Sequence, residues 1–112
     1  MPRNMSFALT TEQFKSRTKT VTRRFGWWFL KPGDVVRGVE KTMGLKPGEK
    51  IKPLGLVRVL DTRPEPLDAI TQGDVVKEGF PEWTPEQFVS MLVEHYGVSS
   101  SAKVNRIEFE YL

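Results

Sequence analysis

Within Thr18-Lys19-Thr20-Val21-Thr22-Arg23-Arg24, a lysine, three threonines and two arginines fall inside one short stretch. A threonine hydroxyl is a poor nucleophile until a base removes its proton, and a lysine amine of lowered pKa is such a base. An arginine beside them holds a phosphate or a carbonyl oxygen with its planar fork of donors. Strand alternation decides whether these groups meet. In an extended strand Thr20, Thr22 and Arg24 share one face, while Lys19, Val21 and Arg23 share the other. Lys19 and Thr22 therefore converge only if Lys19 sits in the turn that leads into the strand. The same residues also suit a basic surface strand whose threonines serve β propensity, and spacing alone leaves both readings open.

Other residues extend this list. Trp27-Trp28-Phe29 places aromatic side chains beside the basic segment. Such clusters stack nucleobases, and they also fill small cores. Lys41 and Glu40 end a strand near the expected cleft. Glu78 precedes Gly79 and Phe80, where a carboxylate either points into a cleft to exchange a proton or lies solvated in a loop. Asp74 is the nearest second carboxylate, with no evident reason to pair with Glu78. The only histidine, His95, falls at the end of an expected helix, where the helix dipole favours a cation, and no catalytic role is assigned to it. Met43 to Lys50 reads as a loop able to cover a cleft.

The bulk composition narrows the classes. The 112 residues make one domain, 1–112, with 38% hydrophobic and 28% charged residues, as in an ordinary globular protein. With no cysteine, a disulfide framework, thiolate catalysis and the usual structural zinc sites are excluded. No apolar run approaches the ~20 residues of a membrane span. The N-terminus lacks the apolar core of a secretory signal, so a cytoplasmic location is the default expectation. The net charge of +3 hides an asymmetry: residues 1–60 hold 13 Lys and Arg against 4 Asp and Glu, and residues 61–112 hold 4 against 10. Either a basic face meets phosphates, or the two halves neutralise each other on folding.

The elements that must position these residues follow from turns, caps and periodicity. Ser6 to Leu9 reads as a first strand. Thr10 then caps a helix over Thr11 to Ser16, with Gln13 as capping-box partner. Thr20 to Arg24 is a brief extended segment. Lys31-Pro32-Gly33-Asp34 and Lys46-Pro47-Gly48-Glu49 carry Pro and Gly where a type II turn prefers them. They flank a strand over Val35 to Lys41. Leu54 to Thr62 is a strand that Arg63-Pro64-Glu65-Pro66 should break. Leu67 to Thr71 suits one helical turn. Thr84-Pro85-Glu86-Gln87 starts a strong helix that Gly97 ends. Ile107, Phe109 and Tyr111 alternate with Glu108 and Glu110 in a half-buried final strand. The reading is α+β: a mainly β domain, a small barrel of about five or six strands with two or three flanking helices.

Arg17-Thr18-Lys19-Thr20-Val21-Thr22-Arg23-Arg24 resembles the G-x-K-x-x-T-x-R pattern of the ASCH domain, a relative of the PUA RNA-binding barrel. Lys19, Thr22 and Arg24 match the pattern, and Arg17 stands where it has glycine. Phe25-Gly26-Trp27, Lys31-Pro32-Gly33-Asp34, Glu78-Gly79-Phe80 and the ending Arg106 to Leu112 extend the resemblance over nearly the whole chain. It implies a PUA-like fold and, in the branch that hydrolyses the amide of acetylcytidine, Lys19, Thr22 and Glu78 as catalytic residues. Arg24, Arg23, Trp27, Trp28 and Lys41 are then the substrate-binding candidates. Other relatives imply a non-catalytic RNA-binding module or a metal-stimulated ribonuclease. The expected partner is RNA or a nucleoside, with single-stranded DNA as a further candidate. No cofactor, metal site or membrane contact is expected, and a monomer is favoured. If the family glycine supplies a positive φ, Arg17 must adopt it under strain or use another turn.

Overall fold

In the computed structural model, which describes residues 2–112, the chain runs β1 (Arg3–Ser6), α1 (Thr11–Lys15), β2 (Val21–Arg24), β3 (Val35–Val39), β4 (Pro53–Pro66), α2 (Gln72–Lys77), α3 (Pro85–Tyr96) and β5 (Lys103–Tyr111). Short 3-10 turns cover Ala8–Thr10 and Leu67–Ala69. The strands form one mixed sheet in the order β1-β3-β4-β5-β2, in which only β1 and β3 run parallel. The sheet curls into a half-barrel. Its edge strands β1 and β2 do not pair with each other, so the barrel expected from the sequence is open rather than closed. The seam between them is spanned by a side chain: Nη1 of Arg24, on β2, donates to the Ser6 carbonyl of β1 at 2.6 Å.

Three expectations about elements change. The first strand is Arg3–Ser6 rather than Ser6–Leu9, because the chain turns at Phe7. The Phe7 carbonyl accepts from the Thr10 amide and the Thr11 hydroxyl at 3.0 and 2.8 Å. Thr10 consequently makes no side-chain cap on α1, and the expected capping box with Gln13 is absent. The prolines do not break β4, which continues through Pro64 to Pro66. Beyond Arg58, β4 pairs only with β5. A proline facing the unpaired side of a strand loses no ladder bond. The other signals hold. Thr84 and Gln87 cap α3 reciprocally, Gly97 ends it in the left-handed region, and both Pro-Gly turns close, Asp34 onto Lys31 and Glu49 onto Lys46.

The apolar residues divide into two clusters. Met5, Phe7, Phe14, Val36, Val57, Ile107 and Phe109 fill the half-barrel. Leu67, Val75, Phe80, Phe88, Leu92 and Val104 join α2 and α3 to the start of β5. Among the described residues no helix is long and apolar enough to cross a membrane.

Phe14 stands at the centre of the first cluster, 4.5 Å from the Phe7 ring and 5.1 Å from that of Tyr111. It also lies on the backbone of β3, where a Cβ at Gly38 would stand 2.4 Å from its ring. Overpacking of this kind costs about 1–3 kcal/mol. Gly38→Ala should therefore lower stability by about 2 kcal/mol in urea denaturation, and a loss below ~0.5 kcal/mol would mean that Phe14 moves aside freely.

Candidate functional site

Lys19 is delivered by the way α1 ends. The Arg17 amide donates to the Phe14 carbonyl at 3.0 Å and the Thr18 amide to the Gln13 carbonyl at 3.1 Å. These are the paired bonds of a Schellman ending, which needs a left-handed residue just past the helix. Arg17 takes that place with φ of 61°. The residue standing where the ASCH pattern has glycine thus adopts the conformation that glycine favours, at a strain of about 1–2 kcal/mol for a side-chain-bearing residue. Its guanidinium lies 5.4 Å over the Tyr111 ring. The Tyr111 hydroxyl in turn donates to the Lys19 carbonyl at 2.5 Å. Burial pushes the Tyr111 phenol up to about 12, so it stays a donor. Lys19 lies outside β2, in the lead-in turn, which is the condition alternation set for its meeting Thr22.

Glu78 is delivered by the end of α2. That helix starts at Thr71, whose hydroxyl accepts from the Asp74 amide at 3.2 Å. Glu78 is its C-cap, just before Gly79, which has φ of +99°. A Cβ at Gly79 would stand 2.5 Å from the Gln13 side chain. Glycine there lets the end of α2 press on α1, and the Thr20 amide bonds the Lys77 carbonyl at 2.7 Å. Glu78 Oε1 consequently meets Lys19 Nζ in an ion pair with both side chains 2% exposed. Lys19 Nζ also donates to the Glu78 carbonyl at 3.3 Å. Burial holds the Lys19 ammonium below its ordinary pKa, against the pull of Glu78, and the charges of Arg24 and Arg23 lower it further.

Lys19, Thr22, Arg24, Glu78 and Lys41 border one cleft of about 290 Å³. It opens along the seam between β1 and β2. One wall is the turn Ser6 to Thr10, and another is the α3 face carrying Phe88, Met91, Leu92, His95 and Tyr96. Thr22 is 3% exposed, and its hydroxyl oxygen accepts from Arg24 Nε at 3.0 Å. Its own proton is therefore free to point elsewhere. No hydrogen bond joins Thr22 to Lys19. Lys41 reaches the rim and pairs with Glu49 at 3.6 Å. Thr42 and Met43 join the lining, so the start of the loop expected over the cleft does touch it.

Arg23 borders the cleft too, and both its terminal nitrogens are engaged by carboxylates. It sits opposite Arg106 in the β2–β5 register. Nη2 of Arg23 contacts Asp74 Oδ2 at 2.5 Å and Glu65 Oε2 at 2.8 Å, while Nη1 contacts Glu78 Oε2 at 3.1 Å. Arg106 holds Asp74 through Nε at 2.7 Å and Nη2 at 3.0 Å. The hydrogen bonds from Arg106, joined by the one from Arg23, hold the Asp74 carboxyl far below the usual carboxylate range. Cations of the basic first half and carboxylates of the acidic second half thus neutralise each other here.

The structure does not bring the tryptophans into this cleft. Trp27, with φ of 63°, packs against the half-barrel core and lines a separate hollow with Arg3, Arg24, Phe25, Phe29 and Tyr96. Trp28 is 52% exposed and borders neither. Sequence reasoning saw no partner for Asp74 and gave Arg106 and Glu65 no part in the site, whereas the structure ties all three to it through Arg23 and Arg106. The available signal was the four-residue spacing of Asp74 and Glu78, which puts both on one helical face. Among the described residues no group of three His, Cys, Asp or Glu side chains is placed to hold a metal ion.

The chain matches no family model and no curated protein sequence. It is similar in structure to the crystal structure of protein EF3133 from Enterococcus faecalis V583, of the DUF984 family. The TM-score is 0.69 at 16% identity, over 100% of this chain and 80% of that one. At that identity the likeness shows the fold.

Removing one partner from a buried ion network costs about 3–5 kcal/mol. Asp74→Asn should lose about 3 kcal/mol of stability at neutral pH. Because the native carboxyl is held below its unfolded value, its contribution is complete above the ordinary aspartate range and fades as pH falls beneath ~4. Urea denaturation of both proteins at pH 7 and pH 3 should show the gap narrowing on acidification. A gap that widens would contradict the assignment.

Proposed function

We propose that the cleft binds a nucleoside and hydrolyses the amide of an acylated pyrimidine, with Lys19, Thr22 and Glu78 as catalytic residues and Arg24 beside the reacting carbonyl. The observation that carries this reading is a buried Lys19–Glu78 pair bordering the same cleft as a buried Thr22 hydroxyl. The agreement of Lys19, Thr22 and Arg24 with the ASCH pattern supports it, as does the glycine after Glu78 that brings the carboxylate to the lysine.

The chemistry follows from the protonation states. Passing the Lys19 proton to Glu78 leaves a neutral amine and a neutral acid, a step that burial of the ammonium favours. The amine takes the Thr22 proton as Oγ1 bonds to the acyl carbon, and the carbonyl electron pair moves onto oxygen beside Arg24. Collapse breaks the C–N bond. The exocyclic nitrogen leaves with the proton from Lys19, and the acyl group stays on Thr22 as an ester. Water then attacks that ester with Lys19 again as base. The carboxylic acid departs, Thr22 recovers its proton, and Glu78 returns the borrowed one. Arg24 Nε already donates to Thr22 Oγ1, which stabilises negative charge developing there.

A non-catalytic nucleic-acid-binding module is the second reading. It draws on the hollow of about 450 Å³ next to the cleft, where Arg3, Arg24, Phe25, Trp27, Phe29 and Tyr96 combine aromatic faces with cations. A metal-stimulated ribonuclease draws less support, since Glu65, Asp74 and Glu78 are each engaged by arginine or lysine.

Incubation with acetylcytidine should release cytidine, and Thr22→Ala should lower the rate by ~10³-fold or more. Absence of turnover, or turnover untouched by Thr22→Ala, would overturn the hydrolase. The binding module predicts instead an affinity for short single-stranded oligonucleotides that weakens about tenfold from roughly 50 to 200 mM salt, as two or three phosphate contacts require. Fluorescence anisotropy would test it, and a salt-independent affinity would exclude it.

A further inference from the structure

We propose that Arg23 is a positioning residue, which grips Glu78 by its second oxygen and ties it to Asp74 and Glu65 without touching substrate. The kinetic part of this inference rests on the proposed hydrolase. The geometric part does not.

Glu78 has two carboxylate oxygens and two cationic partners. Oε1 meets Lys19, and Oε2 accepts from Nη1 of Arg23 at 3.1 Å. A glutamate has three rotatable side-chain bonds, so one contact leaves the carboxylate free to swing. Holding both oxygens leaves it one orientation. The gripping residue must itself be fixed, and Arg23 is. Its other terminal nitrogen is shared between Asp74 and Glu65, its side chain is 1% exposed, and Asp74 is locked from the far side by Arg106. Both terminal nitrogens of Arg23 are thus taken by carboxylates, and its proposed role is positioning in place of the substrate binding expected from the sequence.

The arrangement has an electrical consequence as well. Lys19 faces Glu78 from the end of α2, and Arg23 and Arg24 from β2; Lys41, His95 and Tyr96 also border the cleft. With Arg23 present, the carboxylates of Asp74 and Glu65 are balanced before they act on Lys19. Removing the Arg23 charge takes away a cation that lowers the Lys19 pKa and leaves Asp74 and Glu65 less fully balanced, so Lys19 then holds its proton more tightly. Removing a carboxylate from the far end of the network acts in the opposite direction.

The test compares Arg23→Gln, Arg23→Lys and Glu65→Gln in the full chain. The Lys19 titration is followed by NMR of a ¹³C-labelled ε carbon, and acetylcytidine turnover is measured against pH. Arg23→Gln should move the Lys19 midpoint up by about one unit or more. It should also lower kcat at least about tenfold with KM within about twofold, and carry the acid limb of the pH–rate profile upward. Arg23→Lys keeps the charge, so the midpoint should return close to wild type with part of kcat restored. Glu65→Gln, at the outer end, should move the midpoint down. An unmoved midpoint in Arg23→Gln, or a KM effect larger than the kcat effect, would overturn the proposal. Should Arg23→Gln fail to fold, Glu65→Gln decides: a downward shift supports the coupling, and no shift or an upward one refutes it. Wild-type protein with no turnover would defeat the hydrolase reading alone, because the Lys19 titration reads the coupling directly.

Discussion

Two arginines stand directly opposite each other on neighbouring strands, both nearly excluded from solvent, and one aspartate keeps them there. Like charges across a strand pair repel, and buried charge without a partner costs several kcal/mol. Asp74 answers both by taking Arg23 and Arg106 on its two oxygens. It occupies the first turn of α2, where a negative charge also suits the helix dipole. The ion contact thereby docks α2 onto the sheet. Glu78 follows Asp74 by four residues and shares its face of the helix. Once Asp74 is seated on the arginines, Glu78 has little choice of position, and Arg23 reaches both carboxylates at once. The location of Glu78 is thus a result of how a helix neutralises a sheet.

The same docking explains why a lysine tolerates burial here. An isolated ammonium in a core shifts toward its neutral form, and the ion pair with Glu78 only partly opposes that. A fold selected for stability alone would place an apolar side chain at position 19. The strained backbone of Arg17 points the same way, since a left-handed arginine is held only where the surroundings fix it. Here two backbone bonds to α1 and the Tyr111 hydroxyl on the next carbonyl but one do the fixing.

Much of this was legible in the sequence, and the exceptions share a cause. The α3 capping box, the Pro-Gly turns and the alternating last strand are local signals, and the chain obeys them. Alternation also required Lys19 to lie outside β2 if it is to approach Thr22, and it does lie outside. What escaped notice depends on α2, a helix of six residues that contains a glycine and two valines. So short and poor a helix former gives no periodicity to read, and without the helix the spacing of Asp74 and Glu78 carries no meaning. β4 was underestimated for a related reason. Whether a proline breaks a strand depends on which neighbour its missing donor would have served, and that is settled by sheet order rather than by local sequence.

The departure from a closed barrel bears on the cleft more than any single residue does. If β1 and β2 paired along their length, backbone hydrogen bonds would fill the seam between them, and a neighbouring strand at about 4.8 Å leaves no room for a ligand. Bridging the edges with a side chain keeps them together while leaving a gap. Arg24 is long enough to donate to Ser6 on one edge and to Thr22 on its own strand, and its guanidinium lies 4.7 Å over the Phe7 ring. A residue whose type and spacing first suggested ligand binding therefore has a structural task as well. It defines the width of the opening in which Lys19, Thr22 and Glu78 are exposed to a common space. An apolar residue at position 24 would remove the only described side-chain hydrogen bond between the two edges of the sheet.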